Sequence, residues 1–356
     1  MPALADVLQI GAVAAGVDVG RAAIKIAEIR RTARGVELHR AAVAPTPPGA
    51  VAGGVILDPA AVGSAVDALR RRTGIRSRRA VVAVTGQNVL ARVLRLPPIP
   101  EEEVRQAIRW EAERHLPIPV DEAVTDVQAV GEVTEDGQRR LEVLLAAAPE
   151  SVVLAHVQAV ERARMTVEAV EVGALAMVRG LGHTDTRGTR ALVNLGASTT
   201  DVAVVRDGVP QFTRTIPAGL ETAAAAVGRL AGVDAAAAQQ VLARYGLGWD
   251  ESLPELPPGT YATEVTAALE EVVTQLRRTL DFVRAQFAGV TVSEIVLCGG
   301  GARLRHMDRH LTAELDLPVT VGVPPVRARA GRRGEQHDAI SPQLAVAVGL
   351  ALRTVG

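Results

Sequence analysis

Asp18 is a carboxylate set inside an apolar strand. Val17 and Val19 flank it, Gly20 opens a short break, and Ile24 and Ile26 restart a period-two pattern with Lys25 between them. The pattern predicts strand, tight turn, strand over residues 16–31. An acid buried there without a partner would be costly. A turn that cradles phosphate, with the acid holding the metal that rides on it, would explain the carboxylate. An ordinary hairpin with an acid at its mouth would explain it equally well.

The same grammar returns about half a chain later. Val193-Asn194-Leu195-Gly196 repeats Val17-Asp18-Val19-Gly20, and a small-residue turn leads into a second strand from Asp201. Self-similarity at this distance predicts a duplicated domain, each half giving one loop. Two such loops facing each other across a cleft can clamp a triphosphate with their backbone N–H groups. Ser198, Thr199 and Thr200 add hydroxyls to the second loop. A third run, Gly299-Gly300-Gly301, follows an apolar strand and lets backbone pass close to a ligand before an expected helix start. It is not a GxGxxG fingerprint, because Leu304 occupies the third place, and no GxxxxGK[ST] run exists. Each turn alone is an ordinary loop. Three in this order point to phosphate.

The elements that must position these turns are legible in outline. A Pro/Gly-rich connection from Pro45 precedes a helix over 59–72 and buried strands over 80–84 and 89–96. Leu96-Pro-Pro-Ile-Pro100 marks a sharp boundary, after which a helix with acids in its first turn begins at Glu101. A hairpin over 124–148 and a helix over 152–164 complete what reads as a compact α/β unit, residues 97–170, inserted between two other blocks. From residue 191, strands alternate with turns, including a DG hairpin at Asp207–Gly208. Gly219 precedes an Ala-rich helix, and a single long helix is predicted over 261–287. Ser341 and Pro342 suit the start of a last helix.

Composition bounds the class. The chain has 356 residues, 48% hydrophobic and 22% charged, enough for two domains or one bilobal one. Aromatics are 2%, which argues against a base-stacking surface, and a net charge of −1 gives no general drive toward nucleic acid or anionic lipid. Cys298 is the one cysteine, so neither an internal disulfide nor a thiol-based metal cluster is possible. The N-terminal residues lack the basic region of a signal peptide, and no window reaches the roughly 18 apolar residues of a membrane span. A cytoplasmic protein is expected. Two arginine clusters, Arg70–Arg79 and Arg327–Arg333, read first as solvated surface and second as contacts to an anionic membrane face or an acidic partner.

With these motifs placed, the chain resembles the actin-like ATPase superfamily and, within it, the PilM family of type IV pilus assembly. GVDVGRAAIKIAEI resembles the first phosphate loop, VNLGASTTDVAVVRDG the second, and LCGGGARL the adenosine motif. IRWEAERHLPIPVDEAV and the closing LAVAVGLALR resemble the pilus family itself. The resemblance implies an α/β, duplicated, ribonuclease H-like two-lobed fold with an FtsA-type inserted subdomain. It implies a subdomain 1A from residues 1–96, 171–187 and 342–356, an inserted 1C over 97–170, and a second domain over 188–341 with its 2B part near 225–288.

It further implies ATP with Mg²⁺ as ligands. Asp18 would hold the metal through water, and Gly20, Arg21, Ala22, Ala23 and Lys25 would contact the phosphates. The second loop would use Asn194, Gly196, Ser198, Thr199, Thr200 and Gly219, and the nucleoside would meet Gln239, Gly299, Gly300, Gly301 and Arg303. The implied partner is the N-terminal cytoplasmic peptide of PilN, with an Asn-Leu-Leu-Pro-like core, within a PilN/PilO inner-membrane complex. Its groove would lie between the first and inserted subdomains, with Leu94, Leu96, Ile108 and Trp110 as guessed lining. Membrane association would be indirect, through that partner.

Three features depart from the superfamily pattern. Asn194 stands where a second acid is usual, Arg21 replaces a small residue, and Gln239 and Leu242 replace a Glu and a Lys. No general base is evident, so hydrolysis is expected to be weak or absent. The alternatives are a small-molecule kinase or ATPase of the same superfamily, or an FtsA-like filament former at a membrane.

Overall fold

The computed structural model describes residues 14–32, 35–100, 113, 118–135, 137–182, 187–248, 259–286, 291–328 and 340–355. The helix expected from Glu101, with Ile108 and Trp110, lies outside them.

Strands β1 (Ala15–Val19), β2 (Ala23–Thr32) and β3 (Gly35–Pro45) form an antiparallel meander. A small hairpin, β4 (Val51–Ala52) and β5 (Val55–Ile56), leads to helix α1 (Pro59–Thr73). Asp58 caps α1 by accepting the N–H groups of Ala60 and Ala61, Pro59 fills its first position, and Gly74 ends it at φ 66. The chain then lays β6 (Arg79–Val84) parallel to β1. Next come β7 (Leu90–Leu96) and a long hairpin of β8 (Ala123–Glu135) and β9 (Gln138–Pro149). Helix α2 (Glu150–Arg162) returns the chain to β10 (Thr166–Val172), parallel to β6, and α3 (Gly173–Gly180) follows.

The second half repeats the meander as β11 (Thr189–Leu195), β12 (Thr200–Arg206) and β13 (Val209–Ile216). Helices α4 (Glu221–Ala231), α5 (Ala235–Tyr245), α6 (Thr260–Ala268) and α7 (Glu270–Gln286) come next. Then β14 (Glu294–Cys298) pairs parallel to β11, as β6 pairs with β1. Helix α8 (Met307–Leu315), β15 (Val319–Val321), β16 (Arg327–Ala328) and α9 (Ala345–Leu352) complete the described chain.

The strands form two large sheets, in the orders β10-β6-β1-β2-β3-β16 and β15-β14-β11-β12-β13-β7-β9-β8. Helices α3 and α9 lie between them: Ala176, Met177, Val346 and Leu350 share one core with Val81 of the first sheet and Leu192 and Val296 of the second. The outer face of the first sheet is covered by α1 and α2, and that of the second by α4 to α8. The two middle helices touch backbone to backbone. A Cβ built on Gly349 would sit 1.7 Å from the Ala176 carbonyl oxygen, and one on Gly180 would sit 1.9 Å from that of Ala345.

Three expectations are revised. The single helix over 261–287 is two helices, because the chain turns at buried Leu269, letting α6 pack on α4 and α7 on α8. Phe287 lies outside the described residues. The helix that the sequence grouped with the inserted unit, α2, puts Ala159 and Val160 into the core of the first sheet, and it is the β8–β9 hairpin that joins the second sheet. After the triple glycine there is only a 3₁₀ turn, Gly301–Arg303; α8 starts at Met307, behind a left-handed His306 at φ 68. Among the described residues no helix is long and apolar enough to cross a membrane.

Candidate functional site

Both turns are built the same way. Gly20 N–H donates to the Ala23 carbonyl and Gly196 N–H to the Thr199 carbonyl, each at 3.0 Å. Neighbouring segments hold the two turns in place. Thr46 Oγ1 donates to the Gly20 carbonyl at 2.6 Å, and the N–H of Glu221 donates to the Ala197 carbonyl at 2.8 Å. Gly219 must be glycine, since a Cβ there would meet the Ala197 oxygen at 2.5 Å. Gly299 has φ +85, and a Cβ on it would strike Asn194 Oδ1 at 2.3 Å, so β14 ends hard against the second turn.

The buried acid of the first strand has a partner. Asp18 lies opposite Lys25 across the β1–β2 hairpin, and Lys25 Nζ sits 2.9 Å from Asp18 Oδ2. The same register in the second half places Asn194 opposite Asp201. Asn194 Nδ2 donates to Asp201 Oδ2 at 3.2 Å, and Thr215 Oγ1 donates to Oδ1 at 2.7 Å. Burial pushes the Asp201 carboxyl up to about 6, over the opposing pull of those two hydrogen bonds. The Asp18 charge adds to the rise and Lys25 opposes it.

Asp201 is the residue the sequence reading missed as part of the site. The signal was present: 18 and 25 are seven apart across one turn, and 194 and 201 are seven apart across the other. The second half therefore does carry an acid, one strand over from where the superfamily pattern was checked.

A cavity of about 170 Å³ lies between the turns. It is smaller than the few hundred Å³ typical of a pocket for a whole small ligand, and suits a phosphate chain. Asp18, Gly20, Arg21, Ala22, Ala23, Lys25, Asn194, Gly196, Ser198, Thr199 and Gly300 line it, as do Asp201, Thr85 and Gln343. Thr200 does not: it is fully buried and its hydroxyl donates to the Ala218 carbonyl at 2.7 Å. Gly219, Gly299 and Gly301 shape the walls from behind. Arg303 is exposed and reaches Gln343 Oε1 at 3.3 Å, while Gln239 is an exposed residue of α5 outside the cavity, beside buried Leu242. Cys298 is buried behind the site, and burial pushes its thiol pKa up, so it is unreactive.

Two carboxylates and a carboxamide converge on this cavity, and among the described residues no group of three or more His, Cys, Asp or Glu could hold a metal alone. That donor set fits Mg²⁺, which keeps several waters and binds through one or two carboxylates together with phosphate oxygens.

One ion pair spans the mouth. Arg21 of the first turn meets Glu221, in the opening turn of α4, at 3.0 Å. A phosphate entering the cavity would compete with Glu221 for the guanidinium. Glu221→Gln is therefore expected to tighten ATP binding about two- to fivefold, since a half-exposed pair is worth up to ~1 kcal/mol. Calorimetry on the two proteins checks this; equal affinities would mean that Arg21 does not turn to the phosphates.

A larger cavity lies elsewhere, about 530 Å³ between β8 and the first sheet's edge. Consecutive residues Val124 to Val130 form one wall, Leu144 and Ala146 the floor, and Leu175, Val178 and Arg179 the far wall. Leu94 and Leu96 are not in it. They pair with Val143 and Leu141 on the opposite face of the β7–β9 ladder and are 7% and 4% exposed in a small core with Leu145.

These features define a class. A duplicated strand-turn-strand motif, two helices between two sheets and a cavity between the two turns are the actin-like ATPase fold. Solved structures with this fold include MreB5 of Spiroplasma citri bound to ADP, 14% identical, TM-score 0.52, covering 95% of this chain and 94% of that one. Another is the ethanolamine utilization protein EutJ from Carboxydothermus hydrogenoformans, 16% identical, TM-score 0.54, with coverages of 95% and 89%.

Within the class the match narrows. The model of the type IV pilus assembly protein PilM family matches residues 16–355, and the chain belongs to that family. A solved PilM-PilN type IV pilus biogenesis complex is similar at 27% identity and a TM-score of 0.81, covering 96% of this chain and 98% of that one.

Proposed function

We propose that this protein is a cytoplasmic, actin-like ATP-binding scaffold of the type IV pilus inner-membrane complex, and that it holds the N-terminal cytoplasmic peptide of PilN within a PilN/PilO assembly. The observation that carries this is the groove beside β8. That strand ends the order of its sheet, so its outer backbone groups have no neighbouring strand among the described residues, and both faces of residues 124–130 bound the groove. An extended peptide can pair along this edge, with Leu144, Ala146, Leu175 and Val178 receiving its apolar side chains.

ATP would lie with its phosphates between the two glycine turns. Lys25 would leave Asp18 for a phosphate oxygen, and Asp18 and Asp201 would hold Mg²⁺ through water. When bound, the metal neutralises phosphate charge. The residues of this chain orient the phosphates through the backbone N–H groups of the two turns and the hydroxyls of Ser198 and Thr199. Asn194 withholds one negative charge from the metal, and both carboxylates of the cavity are committed to holding it, so the nucleotide would act chiefly as a structural ligand.

The test is a calorimetric titration with the N-terminal peptide of the PilN encoded in the same genome, with and without Mg-ATP. One-to-one binding supports the scaffold reading. No binding in either condition, by a folded sample that binds ATP, moves the weight to a small-molecule kinase. Leu175→Glu, on the partly exposed groove wall, is expected to weaken peptide binding at least tenfold with ATP affinity unchanged.

A further inference from the structure

The function above leaves one surface without a role. Arg72, Arg76, Arg78, Arg162 and Arg164 are exposed and have no ion pair among the described residues. They gather at one edge of the first sheet. Helices α1 and α2 both lead into strands that start there, Thr166 lies opposite Arg79 in the β10–β6 ladder, and Thr166 N–H donates to the Arg78 carbonyl at 2.6 Å. Arg40 adds to the edge by bonding the Thr73 carbonyl.

The nearby acids are already engaged. Asp67 holds Arg70 and Arg71, and Glu168 holds Arg79. Glu28 is fully buried, accepting the N–H groups of Arg76 and Ser77 and facing Arg30 and His39. Glu161 is the exposed acid left beside them. The C-terminal dipoles of α1 and α2 together offer about one negative charge. Five unpaired guanidinium groups exceed what the dipoles and Glu161 offset.

We propose that this arginine edge docks on an anionic lipid surface, its guanidinium groups forking onto headgroup phosphates. The surroundings favour lipid over the other polyanions. Phe212, Tyr245, Tyr261 and Phe282 all belong to the second half of the chain, so no described ring is available here for base stacking. None of the exposed large apolar side chains falls in segments 72–79 or 161–166, so the edge lacks the anchor that a protein partner usually fills. The first glycine turn follows the far end of β1, and Thr85 of the cavity follows that of β6, one strand length or roughly 20 Å away. Docking by this edge leaves the nucleotide cleft and the β8 groove open, and holds whether or not PilN is the partner.

The experiment is co-sedimentation of the full chain with vesicles of phosphatidylglycerol and phosphatidylcholine in equal parts, against pure phosphatidylcholine. Binding is expected on the anionic vesicles only, and is expected to fall with salt. Each arginine is expected to contribute about fivefold, so Arg76→Glu/Arg78→Glu/Arg164→Glu should weaken partitioning at least about a hundredfold. The same three changes to lysine should keep most of it, which guards against misfolding as the cause.

A control of equal charge change, Arg229→Glu/Arg278→Glu/Arg284→Glu on exposed helix positions of the second half, should bind as the wild type does. Absence of wild-type binding at physiological salt overturns the proposal, and so does equal loss in the control. Single-stranded RNA or polyglutamate binding more tightly than the vesicles, through the same three arginines, would also overturn it.

Discussion

Asp201→Asn is expected to leave the ligand-free protein more stable than the wild type at pH 8, by up to about 3 kcal/mol. In the native protein the Asp201 carboxyl releases its proton near pH 6, whereas an ordinary aspartate does so near 3.8, a difference worth about 3 kcal/mol. Between those values the native state keeps a proton that the unfolded chain has lost. Stability is therefore fully present below about pH 4 and falls as pH rises through 6. Asparagine keeps the shape and carries no charge, so that slope disappears; Asn194 can turn its amide over to accept from the new one.

The check is denaturant unfolding of both proteins from pH 4 to 8 without nucleotide or metal, read as the difference between the two curves. A variant less stable than the wild type at pH 8, or a difference that does not change with pH, would sink the idea. The same substitution should weaken Mg²⁺-dependent ATP binding at least tenfold. A stabilising change that costs ligand affinity is what a strained binding carboxylate implies.

Gly349→Val should cost more than about 4 kcal/mol and yield little soluble protein. The α3–α9 crossing has no room for a side chain, because a single Cβ at 349 already lies 1.7 Å from a backbone oxygen. Relief requires the helices to separate, and both are packed between two sheets that would have to follow. Arg179, which donates to the Gly349 carbonyl at 2.9 Å and pairs with buried Glu171, would lose its alignment as well. Gly349→Ala should fall between the extremes. Gly300→Ala is the control, with nothing within 4 Å of its Cβ position, and should change stability by less than about 0.5 kcal/mol. Equal unfolding midpoints for the 349 and 300 variants would show that the crossing relaxes freely.

The strand-turn-strand repeat was visible in the sequence because its signal is local: period-two apolar residues stop at a glycine and resume. The two glycine turns followed from it. Asp201 escaped because its role depends on which residue faces which across a hairpin, and residue type at a single position does not carry that. Leu94 and Leu96 fall outside the β8 groove for a related reason. The face of β7 on which they lie is set by strand parity against β9, where Leu141, Val143 and Leu145 share a core and Leu144 and Ala146 turn to the groove. The groove wall at Val124–Val130 gives a weak signal because the strand is mostly exposed. The break at Leu269 was hidden because an apolar stripe runs through it unbroken. What switches there is the neighbour being packed against.

The joint between β13 and β7 is narrow, with Phe212 opposite Arg92 and the Thr213 hydroxyl bonded to the backbone of Ala91. Through it the β8–β9 hairpin continues the second sheet, and Glu171 of the first sheet faces it across the groove with Leu175 and Arg179 of α3. Both gaps thus lie between the same two sheets: the cavity at the glycine turns and the groove along β8. A change in the angle between the sheets would widen or narrow both, so an occupant of one gap would set the width of the other without a dedicated relay between them.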